Sequence, residues 1–311
     1  MDHPGNGLIP PLPKAALWKT LNRFSWRPTV ANTAFQTQFR DETVATFEAT
    51  KSLLSATVTT EAMIKGSQGT FLVAGSGGAT AVTRGVNGRI PGRDLDLTQS
   101  TATLTEWHDK PQVSGFNVFA SQGELKGLLQ TTAVTVINRK RDDDIITTLN
   151  TATQDSGAAQ TASVPLVMRG ITVLGNNEVP FDGNIWGAIT PAFLAYIMQT
   201  TEFSSADFVG MKAYDASPQW KDMQGFYRWN NVNWIVHPNL PGVGTSAEKC
   251  FLYHKSAIGH ATNTSTMQAV AGYNEEDDYS FARCSAYMGS VLLQNSGVFV
   301  FNHDGSALVA E

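Results

Sequence analysis

The chain has 311 residues, 42% hydrophobic and 16% charged, with a formal net charge of −5. Those figures describe a globular protein with few charges, long enough for a large core and about two domains. They do not indicate a nucleic-acid-binding enzyme with a broadly basic face, and no apolar run approaches the roughly 20 residues that span a membrane.

Residues 1 to 50 read as an arm. Pro4, Pro10, Pro11 and Pro13 give an extended start. MDHPGNGLIPPLPK lacks the charged-then-apolar order of a signal peptide, so synthesis in the cytoplasm is expected. KAALWKTLNRFSW then sets Leu17, Leu21 and Phe24 at i, i+4 and i+7 with Trp18 beside them, a short amphipathic helix stopped before Pro28. Such a helix packs on its own domain, on a neighbouring subunit or, least favoured, on nucleic acid.

Thr43 to Thr60 leads into a glycine-rich stretch with eight glycines from Gly66 to Gly92. No acid occurs from Ala62 to Arg93, whereas Lys65, Arg84, Arg89 and Arg93 are basic. The β-rich pieces TFLVA, which holds Phe71, and ATAVT predict a long hairpin with a flexible tip. So polar a segment buries no core of its own. It is either a mobile surface loop or a hairpin that lies on something outside its domain.

Leu95 to Asn117 alternates like strands. Glu106 and His108 share one face there, with no second His at ligand spacing. Gly123 to Thr153 predicts the longest helix, with Leu129, Ala133, Val134, Ile137, Ile145, Leu149 and Ala152 on its stripe. Inside it, Arg139-Lys140-Arg141-Asp142-Asp143-Asp144 reads as a solvated, self-paired face. VPLVMRGITVLG, after Ser163, is a strand candidate. Thr190 then caps a helix with Pro191 at its first position. Residues 202 to 233 are aromatic-rich and irregular, and strands resume at NWIVHP, CFLYH, SFARCSAYMGSVLL and GVFVF.

The search for chemistry yields no catalytic, cofactor or metal site. There is no GxSxG, HExxH or P-loop, and the six histidines are scattered. Cys250 and Cys284 stand in no metal pattern and are expected as buried free thiols; Cys250 and His254 would share a strand face as packing residues. Asn263-Thr264-Ser265 matches a glycosylation sequon by chance.

Several strings, taken in order, resemble the major capsid protein of tailed bacteriophages with its Hong-Kong-type shell fold. They are NRKRDDDIITTLNTAT, DGNIWGAITPAFLAYIMQTTEFSSADFVG, HPNLPGVGTSAEKCFLYHKSAIGHAT and FARCSAYMGSVLLQNSGVFVFNHDG. The resemblance implies an α+β subunit with an N-terminal arm at 1–50 and an extended loop at 51–105. It implies a peripheral domain at 106–160 and 255–295, with a spine helix over about 123–153, and an axial domain at 161–254 and 296–311. The implied function is self-assembly, as hexamers and pentamers, into an icosahedral virion shell. That shell is built in the host cytoplasm and encloses double-stranded DNA without sequence-specific binding. Portal, scaffold and decoration proteins are the implied partners, and no membrane is. The interface residues implied are Leu17, Trp18, Leu21 and Phe24 of the arm, and Lys65, Phe71, Arg84, Arg89 and Arg93 of the hairpin. The basic hairpin is expected to dock on Glu275, Glu276, Asp277 and Asp278 of a neighbour, with Asp142–Asp144 as a second acidic candidate. Some family members join a loop Lys to an Asn on a neighbour; here only Lys65 stands against Asn295 and Asn302, and no cross-link is expected. The alternatives are an encapsulin-type nanocompartment shell, against which the proline-rich start argues, and an enzyme of unknown class.

Overall fold

A computed structural model describes residues 51–115 apart from 62, 63, 65, 77, 86, 89 and 91, and then 125–200, 226–263 and 268–307. The expected arm helix, Lys65, Arg89, the start of the long helix and most of the aromatic-rich stretch lie outside the described residues.

Three sheets organise the described residues. The first holds β1 (Thr59–Glu61), β4 (Thr105–Asp109), β5 (Gln112–Ser114), β10 (Ile258–Thr262), β11 (Gln268–Asn274) and β12 (Tyr279–Leu292). β12 is its long strand: β4, β5, β10 and β11 all pair with it antiparallel, and β1 pairs parallel with β10. Helix α1 (Leu125–Leu149) lies along one face of this sheet. Cys284 and Ala286 of β12 alternate toward it and meet Ala133 and Ile137, with Trp107 and Val134 packed beside them.

The second sheet runs β13 (Val298–His303), β9 (Glu248–His254), β6 (Ile185–Ile189), β8 (Val232–Val236), β7 (Phe226–Trp229). Its strands are near-continuous apolar runs because helices and loops cover it; β6 is buried throughout. Helix α2 (Val164–Asn176) turns Leu166, Val167, Gly170 and Leu174 inward, and α3 (Pro191–Met198) contributes Phe193, Tyr196 and Ile197. Phe251, Tyr253, Phe299 and Phe301 fill the largest core cluster, which also takes in Ile145 and Leu149 from α1. Burying each such side chain contributes about 1.5–3 kcal/mol before the entropy of ordering is charged against it.

Two expectations are corrected here. VPLVMRGITVLG is not a strand but the body of α2. Its buried positions fall at helical spacing, and Pro165 occupies the first turn, where no backbone N–H is needed. ATAVT forms no strand either. The hairpin pairs β2 (Gln68–Gly75) with β3 (Asp96–Thr103), and the described residues between them are outside regular structure. The Thr190 cap holds as read: its side chain accepts from Phe193 N at 3.2 Å.

Candidate assembly surface

The hairpin runs in register from Gln68–Thr103 at its base to Gly75–Asp96 at its far end. Its two faces have different surroundings. Phe71 is buried at the base, as are Gly69 and Ala102, in a small cluster with Ile64 and Ala261. The Phe71 ring lies on Gly259 of β10, where any Cβ would sit 2.9 Å from it. Gly289 of β12 does the same for the second strand: a Cβ there would meet the Thr103 carbonyl oxygen at 2.1 Å. Two side-chain-free positions thus let the hairpin root lie flat on the six-stranded sheet. The expectation that this glycine-rich segment buries no core of its own is therefore corrected for its first residues, Gly69 and Phe71.

Beyond the root the hairpin is exposed. Leu72 (69% exposed) and Leu97 (50%) stand on one face, because Leu72 pairs with Gln99 and Ala74 with Leu97. Val82, Ile90 and Leu95 add further exposed apolar surface around the tip. Arg84 is exposed, and Arg93 Nη1 donates to the Ser76 carbonyl at 2.8 Å, which braces the far end.

The acidic run forms the exposed turn between β11 and β12. Asp277 accepts from Asn274 Nδ2 at 3.1 Å. Asp278, at φ +49°, accepts from the Tyr273 hydroxyl, while its backbone carbonyl takes the Gly115 N–H at 2.9 Å. These two acids shape the turn; Glu275 and Glu276 are exposed upon it.

The Asp triplet of α1 is not a uniform solvated face. Lys140 pairs with Asp143 as read. Asp142 is buried and binds the Ser52 hydroxyl, Leu53 N at 3.0 Å and Leu54 N at 3.2 Å. Asp144 accepts from Ser290 Oγ at 2.7 Å, and Ser290 Oγ lies 2.9 Å from His260 Nδ1. Because the single Ser290 proton goes to Asp144, His260 Nδ1 must donate, and its Nε2 is left bare in the interior. Burial, with Arg141 nearby, pushes the His260 pKa down to about 4, and burial raises that of Asp144. Neither Asp142 nor Asp144 is an outward docking acid.

A second polar chain escaped the reading of the sequence. His108 Nε2 lies 2.7 Å from Glu106 Oε1, and His108 Nδ1 lies 2.8 Å from Ser285 Oγ. The shared strand face of Glu106 and His108 was legible; Ser285, 177 residues on, was not. A hydroxyl, an imidazole and a carboxylate in series suggest a nucleophile. However, Ser285 sits mid-strand between Gln268 and His108, and such paired backbone offers no oxyanion hole. The chain is a cross-strand tie. Among the described residues no group of three or more His, Cys, Asp or Glu could hold a metal. A small cleft between α2 and α3 is lined by Val167, Ile189, Phe193, Leu194, Ile197, Trp229 and Trp234.

Cys250 and Cys284 are both buried and free, and burial pushes the Cys250 thiol up to about 12. Cys250 and His254 share a face of β9, where Thr190 Oγ1 lies 3.7 Å from Cys250 Sγ and Asp182 lies 3.1 Å from His254 Nε2. Asn295 and Asn302 are each tied locally, to Thr153 and to the Gly157 carbonyl.

A long helix on a six-stranded sheet, a second sheet with its own helices and an extended hairpin make an α+β subunit of the Hong-Kong-type capsid class. Solved structures of this fold include one from Mycobacterium phage Che8, with 17% identity, TM-score 0.66, and 85% of this chain and 95% of that one covered. The capsid of Cyanophage P-SCSP1u matches at 10% identity and TM-score 0.65, over 85% and 91% of the two chains. The head of Helicobacter pylori bacteriophage KHP40 matches at 10% and 0.63, over 92% and 99%. No curated protein sequence matches. The family model "Phage capsid protein" matches residues 31–304, and the chain belongs to that family. It is a major capsid protein, a structural component of the virion shell. The match does not favour the nanocompartment alternative.

Proposed function

We propose that the subunit works by self-assembly alone, each copy laying its arm (1–50) and hairpin on neighbouring copies in a closed icosahedral shell of hexamers and pentamers. The carrying observation is the hairpin: a paired two-stranded stem rooted on the sheet by Phe71, with Leu72 and Leu97 exposed on its outer face. Exposed apolar side chains on a projecting stem need a partner surface. The six-stranded sheet with α1 serves as the peripheral domain (106–160 and 255–295), and the five-stranded sheet as the axial domain (161–254 and 296–311). Arg84, Arg89, Arg93 and Lys65 meet Glu275 and Glu276 of a neighbour, with Asp277 and Asp278 holding the turn in shape; Leu17, Trp18, Leu21 and Phe24 make the arm's contact. The shell encloses double-stranded DNA without reading its sequence, is assembled in the host cytoplasm, and engages portal, scaffold and in some cases decoration proteins. No reaction is required of the subunit. Electron microscopy of the purified full chain, with and without scaffold, tests this: shells or capsomer rings are expected, and a protein monomeric under every assembly condition would overturn it.

A further inference from the structure

We propose that Asp142 is the joint that sets the direction in which the arm leaves the subunit. The inference rests on reading residues 1–50 as an intersubunit arm.

The short 3-10 helix Ser55–Thr57 begins with no side-chain cap from Leu54, its own N-cap residue. Ser52 Oγ accepts Ser55 N at 3.2 Å instead, and the backbone N–H groups of Leu53 and Leu54, just ahead of the helix, find their acceptor elsewhere. Asp142 supplies it from 88 residues away in sequence, taking Leu54 N and the Ser52 hydroxyl on Oδ1 and Leu53 N on Oδ2. A third element closes the site. His237, just past the end of β8, accepts Asn239 N on Nδ1 at 3.2 Å, so its proton is on Nε2, which lies 3.5 Å from Asp142 Oδ2. One buried carboxylate thus holds donors from the arm root, and it belongs to α1 and faces the five-stranded sheet.

What lies on either side of the joint gives it consequence. Lys51, exposed, is the first residue before it. After it Thr57 bonds the Tyr253 hydroxyl, and β1 runs parallel to β10 toward the hairpin. Arm and hairpin therefore share one anchor. Asp142 also occupies the buried stripe of α1, three residues before Ile145 and seven before Leu149, where an apolar residue would bury more surface. An acid held there fixes geometry.

Asp142→Asn keeps the shape and changes one half of the group. Its Oδ1 still accepts, but Nδ2 then confronts Leu53 N–H and His237 Nε2–H, which are both donors. In the dissociated full-length subunit, we expect trypsin to cut after Lys51 roughly tenfold faster, and the Leu53 and Leu54 amides to exchange faster by a similar factor. Amides of β9 and β13 should keep their protection, and the yield of closed shells should fall at least about fivefold. Should Asp142→Asn not fold, Ser52→Ala removes the bond to Asp142, and with it the one its hydroxyl accepts from Ser55 N, without stranding a charge, and should move the same readings by about threefold. Unchanged cleavage and exchange would overturn the joint, and so would a freed root that still gives shells at wild-type yield. Wild-type protein that forms no shells would instead strike the assembly reading, while cleavage after Lys51 still decides whether Asp142 holds the root.

Discussion

In the five-stranded sheet, β6 is buried along its whole length and β13 buries all but Asn302; among the described residues of the hairpin, only Gly69, Phe71 and Ala102 are buried. Both regions are β-structure and both carry apolar side chains, Val, Leu and Phe among them. The difference lies in what covers them. Helices α2 and α3 and the loops close over the five-stranded sheet, so its side chains contribute to folding. Nothing else in the described chain covers Leu72 or Leu97, and on the reading proposed above their apolar area would serve contact between subunits. On the reading proposed above, stability and assembly would be carried by separate parts of one chain, and each part could be disturbed without the other.

The largest effect should come from the core. Phe301 is fully buried, 5.2 Å from Phe299 and 5.7 Å from Phe193 between ring centroids, and rests on Gly170. Phe301→Ala should cost about 3–5 kcal/mol in denaturant unfolding and abolish shells only by depleting folded subunit. A loss under about 1 kcal/mol would show that this sheet is not where stability resides.

Next in size is a pH effect at the six-stranded sheet. His260 is neutral in the fold because burial holds its pKa near 4, against an ordinary 6.5. Between those values the unfolded chain binds a proton that the folded one refuses, so stability falls as pH drops from 6.5 to 4, by up to about 3 kcal/mol. Asp144, whose pKa is raised, works in the opposite sense toward the acid end. Unfolding measured across this window should slope for the wild type and flatten for His260→Gln. Equal slopes would assign the acid sensitivity to other groups.

How far the sequence announces these features depends on the range of the forces that set them. The long helix and the Thr190–Pro191 start follow from local periodicity and capping: α1 is described over Leu125–Leu149, inside the expected span of 123–153 and ending four residues before it, and the cap is where it was expected. Helix α2 was misread because Val164, Val167, Ile171 and Val173 favour strands, although Ser163, Pro165 and the 166–170–174 spacing carried the helical signal. The second hairpin strand was misplaced because cross-strand register chose the polar DLTQSTAT over the more β-like ATAVT. Asp142 looked solvated in a run of charges, while its partners lie 88 to 95 residues away; only its place on the buried stripe hinted otherwise. Contacts with neighbouring copies leave no local mark beyond composition, so the partner proposed for the hairpin rests on a charge imbalance alone.

A smaller change in stability, with a large one in assembly, is expected from the hairpin tip. Replacing residues 76–95 by Asn-Gly would close Gly75 onto Asp96 through a two-residue turn and leave Phe71 in place. Unfolding should shift by less than about 0.5 kcal/mol, while electron microscopy should find no closed shells. A tip deletion that unfolds the subunit, or one that assembles normally, would erase the division of labour between the two regions.

The finest test asks where the tip goes. The hairpin segment from Ala62 to Arg93 has four basic residues and no acid, while Asn274-Glu275-Glu276-Asp277-Asp278 packs four acids into five positions. Asp277 and Asp278 are engaged in their own turn, which leaves Glu275 and Glu276 as the acids best placed to receive a neighbour's arginine. Exposed pairs of this kind are individually weak and screened by salt, yet a closed shell repeats them at every equivalent contact. Arg84→Glu with Arg89→Glu should therefore leave subunit unfolding unchanged and reduce shell yield, most clearly at low salt, where the wild-type contact is strongest. Glu275→Lys with Glu276→Lys should fail alone in the same way. Combined with the hairpin reversal, it should recover part of the yield, because opposite signs again face each other. Recovery in the fourfold variant ties these two segments together across the subunit boundary; two separate defects that simply add would place the hairpin on a different surface.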